Sequence, residues 1–217
     1  MTSSKIRVVY VSSNAFKRME NQVFADKCIL SDGVTRVKDV FHFEFREVSI
    51  PELLEIDIRV MVQAEVTNAY SQIRVPCIVE HAGLVFDDFR AQNYPGGLTK
   101  PMWNALGDKF VDETHSSGRR ATARAVVAYC DGTRVETFVG ETPGTLAGAP
   151  RGARRFYWDT VFIPDGPTAP LTFAEISEDP GLGLEYKIVT LSQSTRAMLK
   201  FLDYRQRHSP TLWPGVR

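Results

Sequence analysis

Two apolar runs, Ala121 to Cys130 and Val135 to Val139, meet at Asp131-Gly132. A polar, Gly-containing pair between such runs predicts a β-hairpin. The N-terminus predicts a different unit. Ile6-Arg7-Val8-Val9-Tyr10-Val11 reads as a short strand. It ends at Ser12-Ser13-Asn14, residue types that cap the helix expected from Phe16 toward Leu30. Hairpin and strand–helix signals in one chain favour an α/β or α+β architecture over an all-helical or all-sheet one.

The remaining segments fit that class. Val40 to Val48 alternates as a strand and is broken by Ile50-Pro51-Glu52. Leu54 to Gln72 has helical spacing, although Ile56 to Val60 also alternates like a strand. Cys77-Ile78-Val79 predicts a compact strand entered through Pro76, and Tyr94-Pro95-Gly96-Gly97 predicts a turn before a helix over Met102 to Phe110. Residues 140–155 are rich in Gly and Pro and read as an irregular connection, followed by a short strand over Thr160 to Ile163. Thr190 to Arg205 predicts a C-terminal helix, with residues 206–217 as a tail. No repeat or linker divides the chain. The expectation is one domain over 1–217, with a core over about 6–205, long enough for two lobes around a cleft.

Charge narrows the partners. Lys+Arg and Asp+Glu each number 26, so no electrostatic case exists for a nucleic-acid surface or an anionic membrane. Cys28, Cys77 and Cys130 lie far apart, and none forms the CxxC spacing of a zinc site. Cys77 and Cys130 sit in apolar runs and read as buried thiols. No apolar run approaches a membrane span, and a reducing, cytoplasmic location is the default expectation.

The chemistry-bearing residues cluster in a few stretches. Phe156-Tyr157-Trp158-Asp159 sets aromatics beside a carboxylate, a composition suited to stacking on a nucleobase and reading its edge. Its alternative is an aromatic core strand and turn. Ser13, Asn14 and Lys17 place backbone N–H groups and an ammonium at a helix N-terminus, where an anion binds; alone, such a turn is a plain helix cap.

Taken together, these stretches resemble the inosine-triphosphatase-like family of nucleoside triphosphate pyrophosphatases. Asn14 and Lys17 match the family's Thr-Gly-Asn and following Lys, with Ser13 in place of Gly. Ile50-Pro51-Glu52 resembles its Leu-Pro-Glu, and Val79-Glu80-His81-Ala82-Gly83-Leu84 its Glu-Asp-Ser-Gly-Leu. Tyr94 to Trp103 resembles its Pro-Gly-Pro-Tyr-Ile-Lys-Trp segment. Pro150-Arg151-Gly152, Phe156, Trp158, Asp159, Phe162, Pro164-Asp165-Gly166 and Phe173-Ala174-Glu175 match its base-binding block in order.

The resemblance implies an α/β fold in which an elongated mixed β-sheet is wrapped by helices, with two lobes around a nucleotide cleft. It implies hydrolysis of a nucleoside triphosphate, non-standard or modified, to the monophosphate and pyrophosphate, and commonly a homodimer. It assigns Mg²⁺, with Mn²⁺ as substitute, to Glu52 and Glu80. Phosphate falls to Ser13, Asn14, Lys17, Lys100 and Lys187, and the base to Phe156, Trp158, Asp159, Gln193 and Ser194.

Three positions depart from the pattern. His81 stands where the family has an acid, and leaves two readings open: a base near neutral pH beside Glu80, or a satisfied histidine in a site that no longer turns over. Counting back from His81, the family's catalytic Lys falls near Glu65. Gln193-Ser194 replaces the family's His-Arg, which implies an altered base preference. A nucleotide-binding or assembly subunit without catalysis is therefore the alternative to an enzyme.

Overall fold

The computed structural model describes residues 5–113, 119–154 and 156–209. Its strands are β1 (Ile6–Val11), β2 (Phe41–Arg46), β3 (Cys77–Phe86), β4 (Arg120–Cys130), β5 (Val135–Leu146) and β6 (Phe162–Pro164). They form one sheet in the order β2-β1-β3-β4-β5-β6. β1 is parallel to β2 and to β3; the other neighbours are antiparallel. The sheet is thus mixed, as expected.

The helices are α1 (Ala15–Lys27), α2 (Val37–Val40), α3 (Ile58–Ile73), α4 (Thr99–Leu106), α5 (Phe173–Glu178), α6 (Gly183–Tyr186) and α7 (Gln193–Arg207). At α3 the cap decides between the two periodicities of the sequence. Asp57 Oδ1 accepts a 2.8 Å bond from Arg59 N, so the chain turns helical at Ile58 and does not extend as a strand. α4 begins at Thr99, ahead of the expected Met102, and continues as 3₁₀ turns over Gly107–Glu113. The predicted helix from Thr190 is two pieces. A π-helical turn over Lys187–Leu191 ends at Ser192, whose hydroxyl accepts from Thr195 N at 3.2 Å and starts α7. α7 continues to Arg207, past the expected tail boundary; residues 210–217 of that tail lie outside the described residues.

The hairpin is longer than its sequence suggests. β5 passes through Gly140, Pro143 and Gly144, so 140–146 belong to the sheet and not to an irregular connection. The reason lies above the strand. A Cβ on Gly140 would sit 1.9 Å from Gln193 O and 2.5 Å from Ala197 N. Glycine lets α7 rest directly on β5, where it marks a close backbone approach and not a break.

Two lobes share the long strands. At one end, Val8, Tyr10, Ile78 and Val127 pack under α1 and α7, while Val9, Val79 and Ala128 pack on the opposite face against Val62 and Val66 of α3. At the other end, Leu84 and Phe86 of β3 join Trp158, Phe162 and Phe173 in a second core. Between the ends, β1 leaves the sheet. Its pairing with β3 is Val9 to Cys77 and Tyr10 to Ile78, and beyond that point β3 is paired with a strand on its β4 side only. The released edge of β3, the carboxyl end of β1 and the N-terminus of α1 therefore border one space, the place where open α/β sheets bind ligands.

Candidate active site

That space is a cleft of about 760 Å³. Ser13, Asn14 and Lys17 line it from the β1–α1 turn, Glu80 and His81 from β3, and Phe156 and Tyr157 from the second lobe. The aromatic block and the opening turn, far apart in sequence, thus meet across one cavity. Asn14 caps α1, its Oδ1 accepting from Phe16 N at 2.9 Å, which aims the free N–H groups of the first turn at the cleft. The Lys17 ammonium donates to the backbone carbonyl of Glu80 and so sits against the β3 edge.

The acids of the cleft differ in setting. Glu80 is buried, and its Oε2 accepts from the Tyr10 hydroxyl. Burial, then the Glu80 carboxylate, pushes that hydroxyl well above its ordinary value, so it remains a donor. Glu52 lies on the exposed loop after β2 and pairs with Lys100 of α4 at 3.2 Å. Both oxygen-donor side chains line the cleft, and no group of three His, Cys, Asp or Glu residues that could hold an ion forms among the described residues. One or two carboxylates completed by substrate phosphates suit Mg²⁺, so this donor set fits such an ion.

Two departures from the family pattern touch each other. Glu65 Oε2 of α3 lies 2.7 Å from His81 Nε2 of β3. Glu65 is 4% exposed, and its Oε1 has no hydrogen-bond partner among the described residues.

The expected base-binding residues divide. Phe156 lines the main cleft and also a recess of about 10 Å³ behind it, shared with Lys17, Glu80, Asp159, Lys187, Gln193 and Ser194. Trp158 reaches the cleft wall but is 1% exposed, packed against Phe162 and Phe173 in the core. Its ring is mostly taken up by this packing, with only an edge left at the cleft wall. Lys187 is also placed differently from the phosphate role expected of it. It is buried in the recess, its Nζ 3.0 Å from Glu20 Oε1 and bonded to Asp159. Against burial, which favours the neutral amine, Asp159 and Glu20 hold this ammonium above the ordinary lysine value. Its charge is matched by two carboxylates before any phosphate arrives. Glu20 is a member of this cluster that the sequence did not reveal; its only signal was its place one turn after Lys17 on α1. Gln193 is 6% exposed and its Oε1 is buried without a partner. Ser194 is half-buried at the recess.

All three cysteines are buried free thiols, as expected for Cys77 and Cys130. Among the described residues, no helix is long and apolar enough to cross a membrane.

Known proteins are similar to this chain in sequence and in fold. The chain is 29% identical over 205 residues to the inosine triphosphate pyrophosphatase of Kluyveromyces lactis, covering 92% of this chain and 96% of that protein. It is 35% identical over 118 residues to the dITP/XTP pyrophosphatase of Pyrobaculum aerophilum, a match that spans 54% of this chain and 61% of that relative. The HAM1 protein from Coxiella burnetii superposes with a TM-score of 0.62 at 18% identity, over 92% of this chain and 99% of that one, a likeness of fold. Residues 8–202 match the model of the Ham1 family, and the chain belongs to that family.

Proposed function

We propose that this chain hydrolyses a nucleoside triphosphate between its α- and β-phosphates, releasing a nucleoside monophosphate and pyrophosphate. The observation that carries this reading is one cleft lined both by the capped turn of Asn14 and Lys17 and by Phe156. A triphosphate needs both ends: N–H groups and an ammonium for its anionic tail, and an aromatic wall for its base. Relatives named as inosine triphosphate and dITP/XTP pyrophosphatases support the reaction and a purine nucleotide as substrate.

In this reading a water oxygen attacks the α-phosphorus. The new P–O bond forms as the bond to the bridging oxygen breaks, and pyrophosphate leaves. His81 takes the proton of the water. Lys17 and Lys100 hold the phosphates, the latter exchanging its contact with Glu52 for the substrate. A divalent cation, Mg²⁺ or in its place Mn²⁺, held by Glu52 and Glu80, would neutralise phosphate charge. A homodimer in the cytoplasm completes the proposal.

The test is pyrophosphate release by the purified chain over a panel of nucleoside triphosphates, with Mg²⁺ or Mn²⁺, the products identified by ³¹P NMR. Monophosphate and pyrophosphate in equal amounts are expected. Release of orthophosphate instead, or binding with no turnover for any base, rejects the reaction; the second result selects the non-catalytic nucleotide-binding subunit.

A further inference from the structure

The contact between α3 and β3 inside the cleft carries a role of its own. His81 and Glu65 both line the cavity, the imidazole 22% and the carboxylate 5% exposed at the side chain. An ionised carboxylate only accepts, so a 2.7 Å contact makes His81 Nε2 the donor. In the neutral ring this leaves Nδ1 with the lone pair. A carboxylate that fixes the ring and its tautomer, and stabilises the imidazolium formed on proton uptake, is the arrangement that makes histidine an effective base.

The surroundings favour the same assignment. On the sheet, His81 is registered with Val126 of β4, and Val126 with Val139 of β5, both apolar; one step along the same face Arg124 is bound to Glu141. Glu80 turns its carboxylate the other way, to Tyr10 of β1. Lys17 of α1 is bound to the Glu80 carbonyl, Glu52 and Lys100 of α4 are bound to each other, and Arg154 on the cleft wall is bound to Asp108. Glu65 is thus the anion that contacts the ring.

We propose that Glu65 is a positioning residue and that Glu65 and His81 act as one carboxylate–imidazole pair. Glu65 holds Nε2–H, Nδ1 accepts the proton of the attacking water, and the pair returns the proton to solvent after pyrophosphate leaves. This rests on the hydrolysis proposed above. It also changes how the site can be altered. Placing a carboxylate at position 81 alone sets it against buried Glu65, so a single reversal there damages the site; only a paired exchange restores opposite charges.

The experiment uses the full chain and pyrophosphate release. E65Q is expected to lower kcat about tenfold or more with KM within about twofold, and H81N to lower it about 100-fold. The thermal midpoint gives a second readout. H81D is expected to lower it, and E65K/H81D to bring it back toward that of the wild type. E65Q with wild-type kcat and KM overturns the inference, as does an E65K/H81D midpoint no higher than that of H81D. A wild type that releases no pyrophosphate overturns the hydrolysis reading first; an active wild type with an indifferent E65Q overturns only the pair.

Discussion

The Lys187 ammonium lies 5.8 Å from the centre of the Phe156 ring, on the recess side, while the same ring forms part of the cleft wall. Phe156 therefore separates a buried ion cluster from the space a nucleotide would fill. With Trp158 committed to the core, Phe156 is the aromatic wall left for stacking, and Tyr157 meets it edge-on at 5.5 Å. Base–aromatic stacking contributes about 1–3 kcal/mol. F156A is expected to weaken nucleoside monophosphate binding by about tenfold or more while leaving inorganic pyrophosphate binding unchanged, as measured by calorimetry with each ligand. Equal losses for both ligands would place Phe156 outside the base site.

In the proposed reaction, Gln193 bears on base choice. Its buried Oε1 has no partner, and an unmet acceptor of this kind costs about 1–3 kcal/mol. The recess, about 10 Å³, is too small for a ring, so a hydrogen-bond donor on a base edge reaching into it would meet that acceptor. Q193L is expected to raise the thermal midpoint of the free protein and to flatten the ranking of bases in a nucleotide panel. A variant that is less stable and equally selective would contradict both halves.

In the proposed reaction, Lys17 serves the phosphates. Its bond to the Glu80 carbonyl anchors the ammonium beside the N-terminus of α1. Charged hydrogen bonds contribute about 1.5–3 kcal/mol, so K17M is expected to weaken pyrophosphate binding by roughly tenfold to 100-fold. Monophosphate binding, which depends on the aromatic end, should change by less than about threefold. The converse pattern, measured in the same calorimeter, would move the phosphate site away from this turn.

The fold was legible where one local signal acted alone. Ile6–Val11 and its Asn14 cap, and the turn at Asp131-Gly132, need only chain-local chemistry, and both stand as read. It was illegible where a distant segment decides. Gly140 and Gly144 look like breakers until α7 lies on one and Phe162 beside the other. In the cleft, residue types marked the right segments but not their spatial roles. Trp158 and Phe156 sit two positions apart and carry similar rings, yet packing by Phe162 and Phe173 leaves Trp158 only 1% exposed at the cleft wall. Glu65 looked like a reversal that argued against function, because its partner is on another element and only the folded chain shows them in contact.

The β1–β2 edge offers a prediction independent of the cleft. Glu44 accepts from Arg7 at 2.6 Å and from Arg46 at 2.7 Å, and these bonds hold its carboxyl down at about 2. A carboxyl lowered on folding stabilises the protein above its ordinary value of about 4.3, and that contribution disappears as pH falls toward the folded value. The Glu44 side chain is 33% exposed, so solvent screening limits the effect to about 1 kcal/mol. E44Q removes the titration while keeping the side chain's shape. The thermal midpoint of the wild type should therefore exceed that of E44Q near neutral pH, and the gap should close on acidification from about 4.3 toward 2, because the protonated carboxyl and the amide are then alike in charge. Thermal scans of the two proteins across that range decide it; a gap that is constant with pH would mean that Arg7 and Arg46 do not hold the Glu44 charge in solution.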